Sequence, residues 1–329
     1  MKIELLPKEM NQYKANLHSH TVLSDGCVTP EVMKDAYKAQ GYSILAFTDH
    51  NIFIPHNDLT EKDFLILNGI EYDVNAKGGK TCHFCAIAGS KDEENQLFFH
   101  REPRYVWKGG LEAIKQVKFD DSLPDYVRTY SAEGISEMMR GCRDHGYFVT
   151  YNHPVWSLER YPDYMSYDGF HAMEIMNSGS IFPGYPEYNE QVYDDMLVGG
   201  KRVLCSATDD NHSVVGEAFC CFNYVAAEKL TYESVMEALF AGRFYASNGP
   251  RITALWVEDG KVHIKTSGAE MIGFSTEGRR HGALRAGKGE LLTEASFEIL
   301  PEDGYVRLFV QDAYGRRADT QAYYTEDIL

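Results

Sequence analysis

Short β-like runs alternate with helix-like stretches from residue 14 to about residue 245, and few architectures accept such a chain. Parallel strands joined by crossover helices are the expected solution, because each helix then buries one apolar stripe against the sheet. The helix signals are explicit. Thr29 is placed to cap a helix that begins at Pro30, carries Val32, Met33, Ala36 and Tyr37 on one face, and stops at Gly41. Ser131 repeats the pattern with Ile135, Met138, Met139 and Cys142 inward and Gly146 as stop, and a third helix is expected between Thr231 and Gly242. Between them lie the strand candidates KANLH, SILAF, FLILNGI, HFCAIAG, YFVTY, HAMEIM and RVLCSA. Residues 91–130 are polar, aromatic and weakly periodic, and read as an inserted excursion. After SNGP at 247–250 apolar residues alternate and Asp-Gly turns intervene, the pattern of a small antiparallel β domain. The expected division is therefore 1–246 and 247–329.

At 329 residues and 44% apolar content the chain is long enough to bury a full core. Its first residues lack the order of a secretory signal, and no stretch approaches the roughly 20 apolar residues of a membrane span, so a cytoplasmic protein without membrane partners is expected. Seven cysteines, mostly inside apolar runs, fit reduced thiols. The Cys82 and Cys85 pair has no partner pair at zinc-knuckle spacing and reads as core. A formal charge of −17 argues against long nucleic acid as a partner, since tracking a phosphate backbone requires clustered Lys and Arg. A small anionic substrate is still allowed, because bound cations would reverse the field within a site.

The ends of the candidate strands, read in order, carry His18 and His20, then Asp49 and His50, then Glu71, His83 and His153, and finally Asp210 and His212. Six of the twelve histidines fall in this series. In an α/β barrel the strand ends meet on one rim, and side chains two apart on a strand share a face, so H-x-H and D-x-H become two-point clamps for a metal. Imidazole with carboxylate suits Zn²⁺, Mn²⁺ or Fe²⁺, and the number of donors implies more than one ion.

The motifs LHSHTVLSDG, FTDHN, NGIE, CHF, YNHP and TDDNHS resemble the successive motifs of the PHP (polymerase and histidinol phosphatase) superfamily, over about residues 14–245. The resemblance implies a distorted seven-stranded (βα)7 barrel, here followed by a small β-sandwich, and up to three metals. His18, His20, Glu71 and Asp210 would hold the first, Glu71 with His83 and His153 the second, and Asp25, His50 and His212 the third. Many relatives have a histidine where this chain has Asp25, which leaves the identity and filling of the third site open. Asp210 is taken as the ligand because it completes D-x-H, with its neighbour Asp209 as the alternative. Two ions about 3.5–4 Å apart can share a hydroxide that attacks a phosphoryl group in line. A phosphoesterase acting on a small phosphorylated molecule is the leading expectation. Hydrolysis of a carbamate or carboxylic ester on the same metals is the second, and a non-catalytic, metal-stabilised binding module the third.

Outside the ligands, Asp49 is expected to orient His50 or to carry a proton, and Arg160, after the NHP motif with Trp156 and Tyr161, is a candidate phosphate holder. Asn177 ends a strand and is a candidate to position a ligand. Arg243 and Asn248 lie in a segment expected to approach the active-site face.

Overall fold

The computed structural model describes residues 2–329. In chain order the elements are β1 (Lys2–Leu6), β2 (Asn11–Asn16), α1 (Pro30–Ala39), β3 (Ile44–Phe47), β4 (Leu65–Asn75), β5 (Thr81–Ile87), α2 (Ala132–Asp144), β6 (Phe148–Tyr151), α3 (Tyr161–Ser166), β7 (Ala172–Asn177), α4 (Ser178–Ile181), α5 (Glu190–Val198), β8 (Leu204–Thr208), β9 (Phe222–Ala227), α6 (Tyr232–Phe240) and β10 (Phe244–Ser247). The remainder is β: β11 (Ile252–Glu258), β12 (Lys261–Ala269), β13 (Met271–Thr276), β14 (His281–Arg285), β15 (Leu292–Glu298), β16 (Tyr305–Gln311) and β17 (Arg317–Asp319), before a short C-terminal turn of helix.

Side-chain caps set the helix starts. Thr29 Oγ1 accepts from the Val32 N–H at 3.5 Å, Ser131 Oγ from Gly134 at 3.0 Å and Thr231 Oγ1 from Ser234 at 3.3 Å. The inner face of α2 is the expected one, Ile135, Met138, Met139 and Cys142. On α1 the buried stripe is Pro30, Met33 and Tyr37, and Val32, expected inward, is 48% exposed. One residue is about 100° of helix rotation, which carries position 32 off the stripe that Met33 and Tyr37 define.

One sheet runs through most of the molecule in the order β14-β13-β16-β17-β10-β9-β2-β3-β4-β5-β6-β7-β8. Pairing is parallel across β2-β3-β4 and β6-β7-β8, and antiparallel where β5 joins β4 and β6. Just past the C-terminal ends of β2 and β8 the chain comes back together: Ser19 bridges Asn211 in parallel sense, the Asp210 N–H donates to the His18 carbonyl at 3.0 Å and the His20 N–H to that of Asn211 at 2.9 Å. On its other side β2 pairs with β9, and the sheet passes through β10 and β17 into the C-terminal region without a break.

A second, antiparallel sheet has the order β1-β11-β12-β15. Its outer member comes from the other end of the chain: Lys2 stands opposite Glu258 and Ile3 opposite Val257. Leu6, Leu255, Val262 and Ile264 of this sheet pack against Ile272, Val306, Leu308 and Val310 of the larger one. Arg307 on β16, 1% exposed in its side chain, reaches Glu190 (3.1 Å) and Asp194 (2.8 Å) on α5 and fastens the C-terminal strands to the helical layer. Residues 88–131 hold only two 3-10 turns, Lys108–Leu111 and Ala113–Gln116, among the described elements. Among the described residues no helix is long and apolar enough to cross a membrane.

Candidate metal centre

His18 and His20 follow β2, His50 follows β3, His153 follows β6, and Asp210 and His212 follow β8. Glu71 and His83 do not sit at strand ends as expected: β4 runs on to Asn75 because its second half pairs antiparallel with β5. In that ladder Glu71 faces Cys85 and Asp73 faces His83, so Glu71 and His83 are diagonal neighbours on one face. Asp25 comes from the loop between β2 and α1. The loop folds back tightly at Gly26, where a Cβ would lie 2.5 Å from the His20 carbonyl oxygen.

Five imidazoles converge on the two oxygens of Glu71: His50 Nδ1 at 3.0 Å, His153 Nε2 at 3.2 Å, His18 Nε2 and His83 Nδ1 at 3.3 Å, and His20 Nε2 at 3.4 Å. Asp210 Oδ1 lies 3.0 Å from His20 Nε2 and 3.2 Å from His18 Nε2. Three donor groups result, each with its atoms within 4.8 Å of one another: His18, His20, Glu71 and Asp210; His50, Glu71 and His83; and His20, Asp25, His50 and His212. His20, His50 and Glu71 each stand in two groups. His153 lies outside all three, although it touches Glu71 and is 3.7 Å from Asp210 Oδ2.

Outer partners aim the rings. His18 Nδ1 meets Glu174 at 2.8 Å, His153 Nδ1 meets the Ser157 hydroxyl at 3.2 Å and His212 Nδ1 meets the Asp210 carbonyl at 3.1 Å, so in each ring Nε2 is the nitrogen left for the cluster. Glu174 also accepts from the His153 N–H (3.0 Å) and from Asn177 Nδ2 (2.8 Å), which in turn donates to Asp210 (3.1 Å). Sequence reasoning singled out Asn177 and missed Glu174, whose only signal was its place three residues before the end of β7. Asn152 Nδ2 donates to Glu71 at 2.7 Å.

Asp209 does not compete with Asp210. Its carboxylate accepts from the N–H groups of Phe219, Cys220 and Cys221, the Tyr37 phenol and the Ser178 hydroxyl, all at 2.7–2.9 Å. Asp49 is likewise turned away from the His50 ring: it accepts from the Thr21 N–H (2.7 Å), the Thr21 hydroxyl (2.9 Å) and the Ser24 hydroxyl (2.8 Å), and so braces the loop that carries Asp25. Arg160 is exposed, donates to the Glu159 carbonyl and is not among the residues lining the cleft over the cluster. Arg243 pairs with Glu237, and Asn248 lines a separate groove beside Ser178. Cys82 and Cys85 are buried free thiols.

The donor set fits divalent cations. Buried His20 Nδ1, His50 Nδ1, His83 Nδ1 and Glu71 Oε2 have no hydrogen-bond partner, and the 3.0 Å approach of His50 to Glu71 lacks hydrogen-bond geometry. Burial opposes ionisation of Glu71 and Asp210, yet the imidazoles around them hold both carboxyls well below the usual carboxylate range. Asp25 is lowered similarly, His212, His20 and His50 outweighing burial. The same carboxylates lift His153 to about 9 against its burial, and raise His18, whereas burial leaves His83 below its ordinary value. Protons on His18 and His153 and a bound cation are alternative ways of meeting this negative charge. Asp210 takes a left-handed backbone (φ 48°), a conformation that Asp tolerates better than most residues.

The cleft above the cluster measures about 140 Å³ and is walled by Trp107 and Trp156 as well as by the donors. Trp107 comes from the 91–130 excursion and stacks on His50 (centroids 4.6 Å apart, planes 12°), a contact that nothing in the sequence spacing announced. Trp156 lies edgewise to His83 (5.3 Å) and His153 (5.1 Å).

Neither a family model nor a curated relative matches the sequence. Solved structures with similar folds include a two-domain protein of Bacteroides vulgatus, named as containing a predicted PHP-like metal-dependent phosphoesterase, which aligns over 97% of this chain and 90% of its own at 14% identity and a TM-score of 0.45. A Bifidobacterium adolescentis protein, named by inference as a metal-dependent phosphoesterase, aligns over 60% of this chain and 87% of its own (15% identity, TM-score 0.36). An amidohydrolase of Chromobacterium violaceum, solved with sulfate and no metal, aligns over 61% and 89% (15% identity, TM-score 0.37). At such identities and TM-scores the likeness carries no information on substrate.

Proposed function

We propose that the chain is a metal-dependent hydrolase of the PHP type, a phosphoesterase for a small phosphorylated molecule, with two or three divalent ions on the rim of a distorted seven-stranded barrel formed by β2 to β8. The observation that carries this reading is Glu71, a fully buried carboxylate with five imidazole nitrogens within 3.4 Å and an oxygen left without a hydrogen bond. Such a concentration of donors is costly to bury unless cations hold it together. His18, His20, Glu71 and Asp210 would hold one ion, Glu71 with His83, His153 and His50 a second, and Asp25, His50, His212 and His20 a third, with Zn, Mn or Fe suited to the donors.

When bound, the ions supply Lewis acidity at a phosphoryl oxygen and deprotonation of water near neutral pH. The remaining work belongs to the chain. Glu174, Ser157 and the Asp210 carbonyl fix three rings with Nε2 inward. Asn152 and Asn177 hold Glu71 and Asp210 by one oxygen each. Trp107 and Trp156 keep water from the flanks of His50, His83 and His153. Asp25 and His212, with side chains 21% and 36% exposed, form the open side, through which substrate and protons exchange with solvent.

A second reading, hydrolysis of a carboxylic ester or carbamate on the same cluster, is favoured by one observation: among the described residues lining the cleft there is no Lys or Arg. Metal analysis of the purified protein, with p-nitrophenyl phosphate and p-nitrophenyl acetate assayed before and after chelation and Mn²⁺ restoration, tests both. Two or three ions per chain and chelator-sensitive phosphatase activity are expected. Chelator-sensitive acetate hydrolysis alone selects the second reading, and failure to retain more than one ion after reloading overturns the cluster itself.

A further inference from the structure

Once the metal donors are set aside, the wall of the cleft consists of Trp107, Trp156, Gly179 and Ser180. The Gly179 and Ser180 N–H groups are already committed, to the Asp209 carbonyl (2.7 Å) and to Asn177 Oδ1 (2.8 Å). With no Lys or Arg among the described residues of the wall, cations held by the cluster would be what offers an anionic group positive charge, and a second anion would face Asp25 in a chain of net charge −17.

The two indoles are held in place. The Trp156 and Val155 N–H groups both donate to buried Glu187, at 2.7 and 3.1 Å. Trp107 follows Tyr105 by two residues; the Tyr105 carbonyl accepts from Asn51 Nδ2 at 2.9 Å, and its ring lies 4.2 Å from the Arg128 guanidinium. Trp107 keeps one face on His50 and is still 41% exposed. Fixed indole surface beside a reacting centre binds flat apolar groups at little entropic cost.

Building on the phosphoesterase reading, we propose that the substrate is a monoester of an alcohol bearing a flat apolar ring and no second anionic group, with Trp107 and Trp156 as its specificity-determining residues. The test compares benzyl phosphate, glycerol 3-phosphate and 4-carboxybenzyl phosphate on the metal-loaded full chain. All three are esters of primary alcohols, so intrinsic reactivity differs little. Benzyl phosphate is expected to lead in kcat/KM by about tenfold over each of the others, and Trp107→Leu or Trp156→Leu to cut its lead over glycerol 3-phosphate by about three- to tenfold, the range of one aromatic contact. Trp→Phe at either position keeps a ring and is expected to keep most of the preference. Metal content and Tm are read on every variant, so that a misfolded protein is recognised and the Phe series used in its place. Equal kcat/KM for the three esters, or an unchanged ratio in folded Leu variants, overturns the proposal. If no ester turns over, the phosphoesterase reading fails, and the ring preference is read from binding alone through tryptophan fluorescence: tighter binding of benzylphosphonate than methylphosphonate upholds it, and equal binding overturns it.

Discussion

Glu174 gathers four donors that otherwise have little in common, the His18 ring, the His153 N–H, the Asn177 amide and the Thr208 hydroxyl. Glu174→Gln preserves its shape but brings an amide N–H against groups that already donate. The substitution is expected to weaken metal affinity about 10–100-fold with little change in far-UV dichroism; Mn²⁺ or Zn²⁺ titration decides, and unchanged affinity would deny Glu174 a positioning role. His171 gives a pH-dependent prediction away from the cluster. Its Nδ1 accepts from the Val149 N–H at 3.1 Å, and burial, reinforced by Arg143, pushes its pKa down to about 4. With a folded value below the unfolded one of about 6.5, its contribution to stability is complete above that pH and is lost as pH falls towards 4. A ring titration by NMR should give a midpoint near 4, and one near 6.5 would refute this account. At this scale the convergence of His18, His20, His50, Glu71, His83, His153, Asp210 and His212 was legible because motif spacing and strand order both survive in sequence. Glu174 and Trp107 were not, since each acts across more than 50 residues on a partner that no local pattern marks.

Arg128 ties the loosely structured excursion to the sheet. Its side chain, 3% exposed, donates to Asn51 Oδ1 and to the Asp73 carbonyl and stands 3.7 Å from the Asp73 carboxylate, while Asn51 directly follows His50. Arg128→Met leaves Asp73 buried without its cation and is expected to cost about 3–5 kcal/mol in urea unfolding. It should also loosen the segment carrying Trp107, seen as a red shift of tryptophan emission. Adding Asp73→Leu is expected to recover part of the loss; a double variant as unstable as the single one would mean that the pair carries no such coupling. Among the elements, α1, α2 and α6 were readable because Thr29, Ser131 and Thr231 act on their own first turns. The extension of β4 was not, because an apolar run looks alike whether its next partner is parallel or antiparallel.

Over the whole molecule, the mixed α/β class and the change to antiparallel strands after residue 250 were visible as a change of period. The continuity of one sheet through both regions was hidden, since it rests on pairings such as Ala246 with Asp319. Because the donors cluster in the folded chain alone, cations bound there must stabilise it by mass action: at about a thousandfold excess over Kd the gain is about 4 kcal/mol per site. Chelation is therefore expected to lower Tm by several degrees in a calorimetric scan, and an unaltered Tm would mean that the cluster binds no cation in the folded state. The pairing of Lys2–Leu6 with Ile252–Glu258 also sets an order of events during synthesis. At about 5–20 residues per second the ribosome makes the partner strand roughly 12–50 s after the first one. Throughout that interval Lys2–Leu6 waits with its edge unpaired, so a strand made about 250 residues before its partner is among the last to find its place.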